Sequence, residues 1–281
     1  MNYEGLNISD YCHKRLFNYC RLKGYSKTNT YQVYRAILET IIKAFPDPET
    51  AKLTQIQDFC ASHKNENTRK NTCVVVRWLF NSVYGMNIGW MELPYPKKTK
   101  KVQPVYSHED ILKVLNLIKN EKQKAILAMI IDSGLRISEP CSILLSDCNS
   151  KQGSIILRSA KGDNDRVIYP SPHVWDLIKK YWQAWGNHTP RVYLFEGQNK
   201  GEPYSPTSIR QTIKRYCGYA GVKYLGVHAI RRFTITWSIE NEVPISVVAQ
   251  KVGHASVKTI EKHYTIHSPT YLKNIKTPLC P

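Results

Sequence analysis

Apolar residues recur at three- and four-residue steps through most of the chain and alternate in only two short runs. This pattern predicts a mainly helical protein with a small antiparallel β-sheet or hairpin. The first part holds four helical stretches: Ile8 to Lys23, broken at Gly24, then Thr28 to Ala44, a short one near Thr54 to Ser62, and Thr68 to Tyr84. In the second of these, Tyr31, Tyr34, Ile37, Leu38 and Ile41 share one face and are expected in a core. The period is lost across LPYPKKTKKVQP, where Pro94, Pro96 and Pro104 bracket Lys97, Lys98, Lys100 and Lys101. That stretch reads as a basic linker, 94–104, between an N-terminal helical domain, 1–93, and a second domain, 105–281.

Beyond the linker, Ser107 is placed to cap a helix with Asp110 three residues on, and a helix from Lys122 to Asp132 stops at Gly134. Pro140 is tolerated in a first turn, so a further helix is expected from Ile137 or Ser138 to Leu145. The runs SIILR and RVIYP flank the turn-prone AKGDND and predict a β-hairpin with Lys161 at its shoulder. Helices then resume over Pro172 to Trp185, Pro206 to Ala220, Val227 to Glu240 and Ile245 to Val252, with a last one leading to Tyr264.

Length and charge sharpen this outline. A chain of 281 residues has room for two cores, and 40 Lys and Arg against 22 Asp and Glu give a formal charge of +18. Such an excess predicts salt-sensitive attraction to a polyanion, with nucleic acid ahead of a membrane surface because no amphipathic anchor or lipidation signal accompanies the charge. No apolar run approaches the roughly 18 to 20 residues that span a bilayer, and the start MNYEGLNISDYCHKR has no signal-peptide core, so a cytoplasmic location is expected. The eight cysteines include no C-x-x-C pair, which favours reduced, partly buried thiols over zinc ligands or disulfides.

Residues suited to phosphate chemistry gather after the linker: Arg136, Lys161, His228, Arg231, His254 and Tyr264. Phosphodiester cleavage needs a nucleophile, cationic donors for the non-bridging oxygens and an acid for the departing oxygen. Guanidinium groups at Arg136 and Arg231 present planar forks suited to phosphate, although Glu139, three residues after Arg136, equally offers an ordinary ion pair. His228 and Arg231 stand three apart in a helical stretch and project from one face. Lys161 reads as a solvated turn lysine or as a general acid. Tyr264 has a reference pKa of about 10, so roughly one part in a thousand is ionised at neutral pH, a deficit of about 4 kcal/mol that the arginines and a base at His228 would offset. His254 is suited to donate to a phosphate oxygen.

In this order the segments SGLRISE, RSAKGDNDRVIYP, HAIRRF and VGHASVKTIEKHY resemble the tyrosine recombinases, the phage-integrase family, of the minimal two-domain Xer-like or mobile-element kind. The stretch YCRLKGYSKTNTYQVYRAILETIIKAF looks like the helix, turn and helix that open that family's SAM-like core-binding domain. The resemblance implies a site-specific recombinase that binds double-stranded DNA with both domains. It would cut through a covalent 3′-phosphotyrosyl link to Tyr264, assemble as a tetramer on paired sites, and exchange strands through a Holliday junction, with accessory or partner proteins possible. It also implies that Lys161 protonates the leaving 5′ oxygen, gives Glu139 a supporting role, and calls for no metal, ATP or other cofactor. Two departures stand out: HAIRRF has Arg232 where many relatives have His, and Tyr264 follows His254 by ten residues rather than nine. A type IB topoisomerase-like relaxing enzyme and a non-catalytic DNA-binding regulator remain as alternatives. The tail beyond Tyr264 carries Tyr271, Leu272 and Ile275 at helical spacing, suited to docking on a neighbouring protomer.

Overall fold

The computed structural model describes residues 7–25, 29–97, 103–158, 165–184 and 190–253. The chain divides into two compact units, Met1–Lys101 and Val102–Pro281. The first is built from α1 (Ile8–Leu22), α2 (Asn29–Ala44), α3 (Leu53–Ala61) and α4 (Glu66–Ser82). Side-chain caps start two of them: Asn7 accepts from the Asp10 amide, and Asn65 accepts from the amides of Asn67 and Thr68, satisfying N–H groups that a helix start leaves open. Leu16, Leu38, Ile41, Ile56, Val76, Leu79 and Phe80 form the fully buried centre. Of the five residues expected on the inner face of α2, Ile37, Leu38 and Ile41 are buried, while Tyr31 and Tyr34 pack at its edge. Their hydroxyls explain the difference, since a phenol needs a polar outlet.

The second unit contains α5 (His108–Leu117), α6 (Glu121–Ser133), α7 (Glu139–Ser142), β1 (Cys148–Asn149), β2 (Ser154–Leu157), β3 (Arg166–Ile168), α8 (Pro172–Ala184), α9 (Pro206–Ala220), α10 (Val227–Glu240) and α11 (Ile245–Val252). Helix α6 is its axis. The run from Ala125 to Ile130 is buried on every face, as a helix packed against α8, α9 and α10 must be. Asn120 caps its start by accepting from the Gln123 amide, and Gly134 ends it in the left-handed conformation. Ser107 caps α5 through the Asp110 amide, as the sequence predicts.

The two alternating runs form β2 and β3, and β1 joins them in a three-stranded antiparallel sheet ordered β1-β2-β3. Ile155 pairs with Ile168 and Leu157 with Arg166, and Ile155, Leu157 and Ile168 all face inward, whereas Ile156 and Val167 are exposed. Cross-strand partners share a face, so the same register carries Arg166 to the inner side. The Arg158 guanidinium closes the end of β2 on the Asp147 carboxylate with two bonds of 2.6 and 2.8 Å.

One expectation needs correcting. The helix expected from Ile137 or Ser138 to Leu145 shrinks to α7. Ile143 and Leu144 are extended instead, ahead of a 3-10 turn at Leu145–Asp147: the Leu145 amide donates to Val192, the Leu194 amide donates to Ile143, and Leu144 bridges Tyr193. A pairing with residues some fifty positions away has taken the donors and acceptors that a local helix would need. Among the described residues, no helix is long and apolar enough to cross a membrane.

Candidate active site

Three segments converge beside the C-terminal end of α6. Gly134 adopts φ +62°, and a Cβ there would lie 2.9 Å from the Val252 side chain, so glycine permits both the turn and the close approach of α11. The turn buries Leu135 and brings out Arg136, whose amide donates to Glu139 Oε2 at 2.6 Å and whose Nη1 donates to Glu139 Oε1 at 3.1 Å. Glu139 thus satisfies an open amide ahead of α7 while orienting the arginine. The Arg136 side chain remains 41% exposed, with Nη2 3.5 Å from the Gly253 carbonyl.

Arg231 lies on the inner face of α10, with its side chain only 5% exposed. Its Nη1 donates to the Gly134 carbonyl at 2.7 Å and its Nη2 to the Val252 carbonyl at 2.6 Å. Those carbonyls belong to the C-terminal ends of α6 and α11, where helix dipoles concentrate negative partial charge. The ends therefore compensate a buried cation with main-chain oxygens, and the Glu139 carboxylate lies 3.9 Å away.

A third arginine completes the cluster. From β3, Arg166 grips Glu139 through two parallel bonds, Nη1 to Oε1 and Nη2 to Oε2, each 2.9 Å. Burial pushes the Glu139 carboxyl up, but the bonds and charge of Arg166, the Arg136 amide and the Arg231 charge outweigh it, so the carboxyl sits below its ordinary value. Three guanidinium groups around one carboxylate leave two positive charges in excess at a partly open surface, an arrangement suited to a doubly coordinated anion such as a phosphodiester.

His228, one turn before Arg231, is exposed at the rim. Partial burial pushes its pKa down, and the charges of Arg231, Arg232, Arg136 and Arg210 push it further the same way. Both effects disfavour the imidazolium and so favour the neutral ring, the form that can accept a proton. Arg232, in the position where the sequence departs from many relatives, turns away and donates to the Pro104 carbonyl at 3.0 Å.

The structure thus brings together Arg136, Glu139, His228 and Arg231. Lys161, His254 and Tyr264 lie outside the described residues, as does the tail with Tyr271, Leu272 and Ile275. Arg166 is not among the residues that the sequence singles out, although it closes the AKGDNDR segment and has the inward parity of Ile168.

Fold and site define a class: a two-unit, largely helical protein whose second unit gathers three arginines around one carboxylate. The family profile described as phage integrase matches residues 105–270, and the chain belongs to that family, the tyrosine recombinases, making it a site-specific recombinase by class. It is 25% identical over 246 residues to the tyrosine recombinase XerA of Pyrococcus horikoshii, covering 86% of this chain and 85% of that protein. XerA of Pyrococcus furiosus is 26% identical, with 91% and 89% covered. Among solved structures, a lambda integrase tetramer bound to a Holliday junction superposes with a TM-score of 0.72 at 14% identity, covering 92% of this chain and 78% of the other. XerH bound to its difH substrate before cleavage gives 0.68 at 19% identity, with 94% and 84% covered. At those identities the likeness shows the fold.

Proposed function

We propose that this protein cuts and rejoins double-stranded DNA at specific sites through a 3′-phosphotyrosyl link to Tyr264. The observation that carries the reading is the convergence of Arg136 and Arg231 on one carboxylate with His228 at the rim. In the cleavage step the Tyr264 oxygen attacks phosphorus, the bond to the 5′ oxygen breaks, and that oxygen leaves with a proton from Lys161. Arg136 and Arg231 bind the non-bridging oxygens, where charge builds in the transition state. His228 accepts the phenol proton and His254, next after Gly253 in sequence, donates to a phosphate oxygen. The phosphotyrosyl ester keeps the energy of the broken bond, so religation needs no ATP.

Several features support DNA as substrate. Helix α9 has no Asp or Glu and exposes Arg210, Lys214 and Arg215, and the charge of Arg210 is felt at His228. A basic helix leading away from a phosphate site is suited to follow a duplex backbone. The whole-chain charge of +18 extends the same attraction to 1–93 and the linker 94–104. On this reading 1–93 is a DNA-binding domain, four protomers assemble on paired sites, and strands pass through a Holliday junction. The coverage of both XerA proteins over most of their length favours recombination over simple relaxation of supercoils.

The test uses the duplex that the protein binds most tightly from a random-sequence pool, nicked beside the cleavage position so that covalent protein accumulates. Arg136→Ala and Arg231→Ala should each lower the cleavage rate by about 10² to 10³ while the duplex stays bound. Cleavage at the wild-type rate by both variants would remove the arginine pair from the chemistry.

A further inference from the structure

Glu139 has two oxygens and three arginines around it, and how they are shared decides how firmly the carboxylate holds Arg136. Arg166 takes the carboxylate as a fork, with one 2.9 Å bond to each oxygen. Arg136 adds its amide and a single longer side-chain bond of 3.1 Å. Arg231 makes the longest ion pair, 3.9 Å, and donates from both terminal nitrogens to main-chain carbonyls. Glu139 therefore holds Arg136 through its amide and one guanidinium nitrogen, Nη1, while Nη2 lies 3.5 Å from the Gly253 carbonyl.

We propose that Arg166 is a positioning residue for strand cleavage, which occupies Glu139 and so keeps the half-exposed Arg136 available to the scissile phosphate. Without it, a largely buried carboxylate would face two guanidinium groups with its strongest partner gone. Electrostatics would draw it further onto the Arg136 guanidinium, in competition with the phosphate. Arg166 is suited to the task because its own side chain is only 15% exposed and points inward from β3, away from where a phosphate would enter beside the 41% exposed Arg136. Its guanidinium also packs under Gly253, where even a methyl group would come within 2.7 Å of Nη1. One side chain thus grips the carboxylate and packs against the glycine whose carbonyl Arg136 approaches.

This inference rests on the phosphate-binding role proposed above for Arg136 and Arg231, and the experiment separates the two. On the selected nicked duplex, Arg166→Ala should cleave about 10- to 100-fold more slowly, the usual cost of losing a partner that orients a site residue, with the dissociation constant for DNA unchanged. Arg166→Lys should fall between, because an ammonium cannot make the two parallel bonds. The decisive variant is Arg166→Ala combined with Glu139→Gln. If the released carboxylate is what captures Arg136, neutralising it should restore at least about fivefold over Arg166→Ala alone, an energetic coupling that a purely structural role would not produce. Thermal melts confirm that each variant folds, and Arg166→Gln replaces Arg166→Ala in both tests if the latter does not. A double variant as slow as, or slower than, Arg166→Ala would overturn the proposal, as would a loss of DNA affinity matching the loss of rate. Arg136→Ala and Arg231→Ala run alongside: wild-type cleavage by them defeats the phosphate reading itself, whereas their inactivity with no recovery in the double variant defeats only the role of Arg166.

Discussion

Replacing Gly253 by alanine perturbs the site through a single methyl group. Gly253 ends α11 with φ +67°, and a Cβ there would lie 2.7, 2.8 and 2.9 Å from Nη1, Cζ and Cδ of Arg166. Two costs follow. The left-handed conformation itself costs a residue with a Cβ about 1–2 kcal/mol. The contact must also be relieved, and the flexible Arg166 gives way before the backbone does, weakening its paired bonds to Glu139. Hydrogen bonds to a charged group are worth about 1.5–3 kcal/mol, so a partial loss adds about 1 kcal/mol. Gly221 is the matched control, since it ends α9 with the same φ of +67° but has nothing within 4 Å of the added carbon. Gly221→Ala should therefore show the conformational cost alone. By calorimetry, Gly253→Ala should melt about 2–4 °C below Gly221→Ala, the shift expected per kcal/mol in a unit of this size. Cleavage should slow about 10- to 100-fold in Gly253→Ala only. Equal melting temperatures with equal, near-wild-type cleavage in the two variants would refute the packing of Arg166 against Gly253 as a constraint on the site.

Two further outcomes follow from charge. In the DNA-free protein the His228 imidazole should titrate by NMR below the ordinary value of about 6.5, because burial and then the neighbouring arginines disfavour its cation; a midpoint at or above that value contradicts the electrostatic picture. If it is the base, cleavage rises as pH increases through that midpoint and levels off above it. Changing Lys97, Lys98, Lys100 and Lys101 together to glutamine should reduce the magnitude of the log–log salt slope of DNA binding by up to about 3.6, at roughly 0.9 for each phosphate no longer neutralised; an unchanged slope means that the linker does not touch the duplex.

Much of the fold is legible in the sequence because its boundaries are local events. The bounds of α9, α10 and α11 match the expected helices, with Pro206 in a first turn, Gly221 and Gly253 at left-handed ends and Pro244 preceding Ile245. The stretch from Ile137 to Leu145 reads as helix by its local pattern and is mostly not, because its fate depends on the pairing of extended Ile143 and Leu144, and of the Leu145 amide, with residues 192–194, which no local pattern announces. The candidate site is legible in identity more than in environment. Arg136 and Glu139 form both the ordinary ion pair and part of a shared cluster, two readings that spacing does not separate. Nothing in HAIRRF reveals that Arg231 is buried, since its compensation comes from carbonyls at Gly134 and Val252. Only the strand register, with Leu157 opposite Arg166, shows Arg166 facing inward. For Lys161, His254 and Tyr264 the reading stands on the sequence motifs.

The central claim is that one phenol becomes covalently joined to DNA, and the direct measurement is denaturing electrophoresis of the protein after reaction with the nicked duplex. Wild-type protein should migrate as a DNA adduct, and mass spectrometry of its peptides should place the nucleotide on Tyr264. Tyr264→Phe should bind the same duplex with the same affinity and yield no adduct. An adduct that persists in Tyr264→Phe, or one mapped to Tyr271, would contradict the account and move the nucleophile elsewhere.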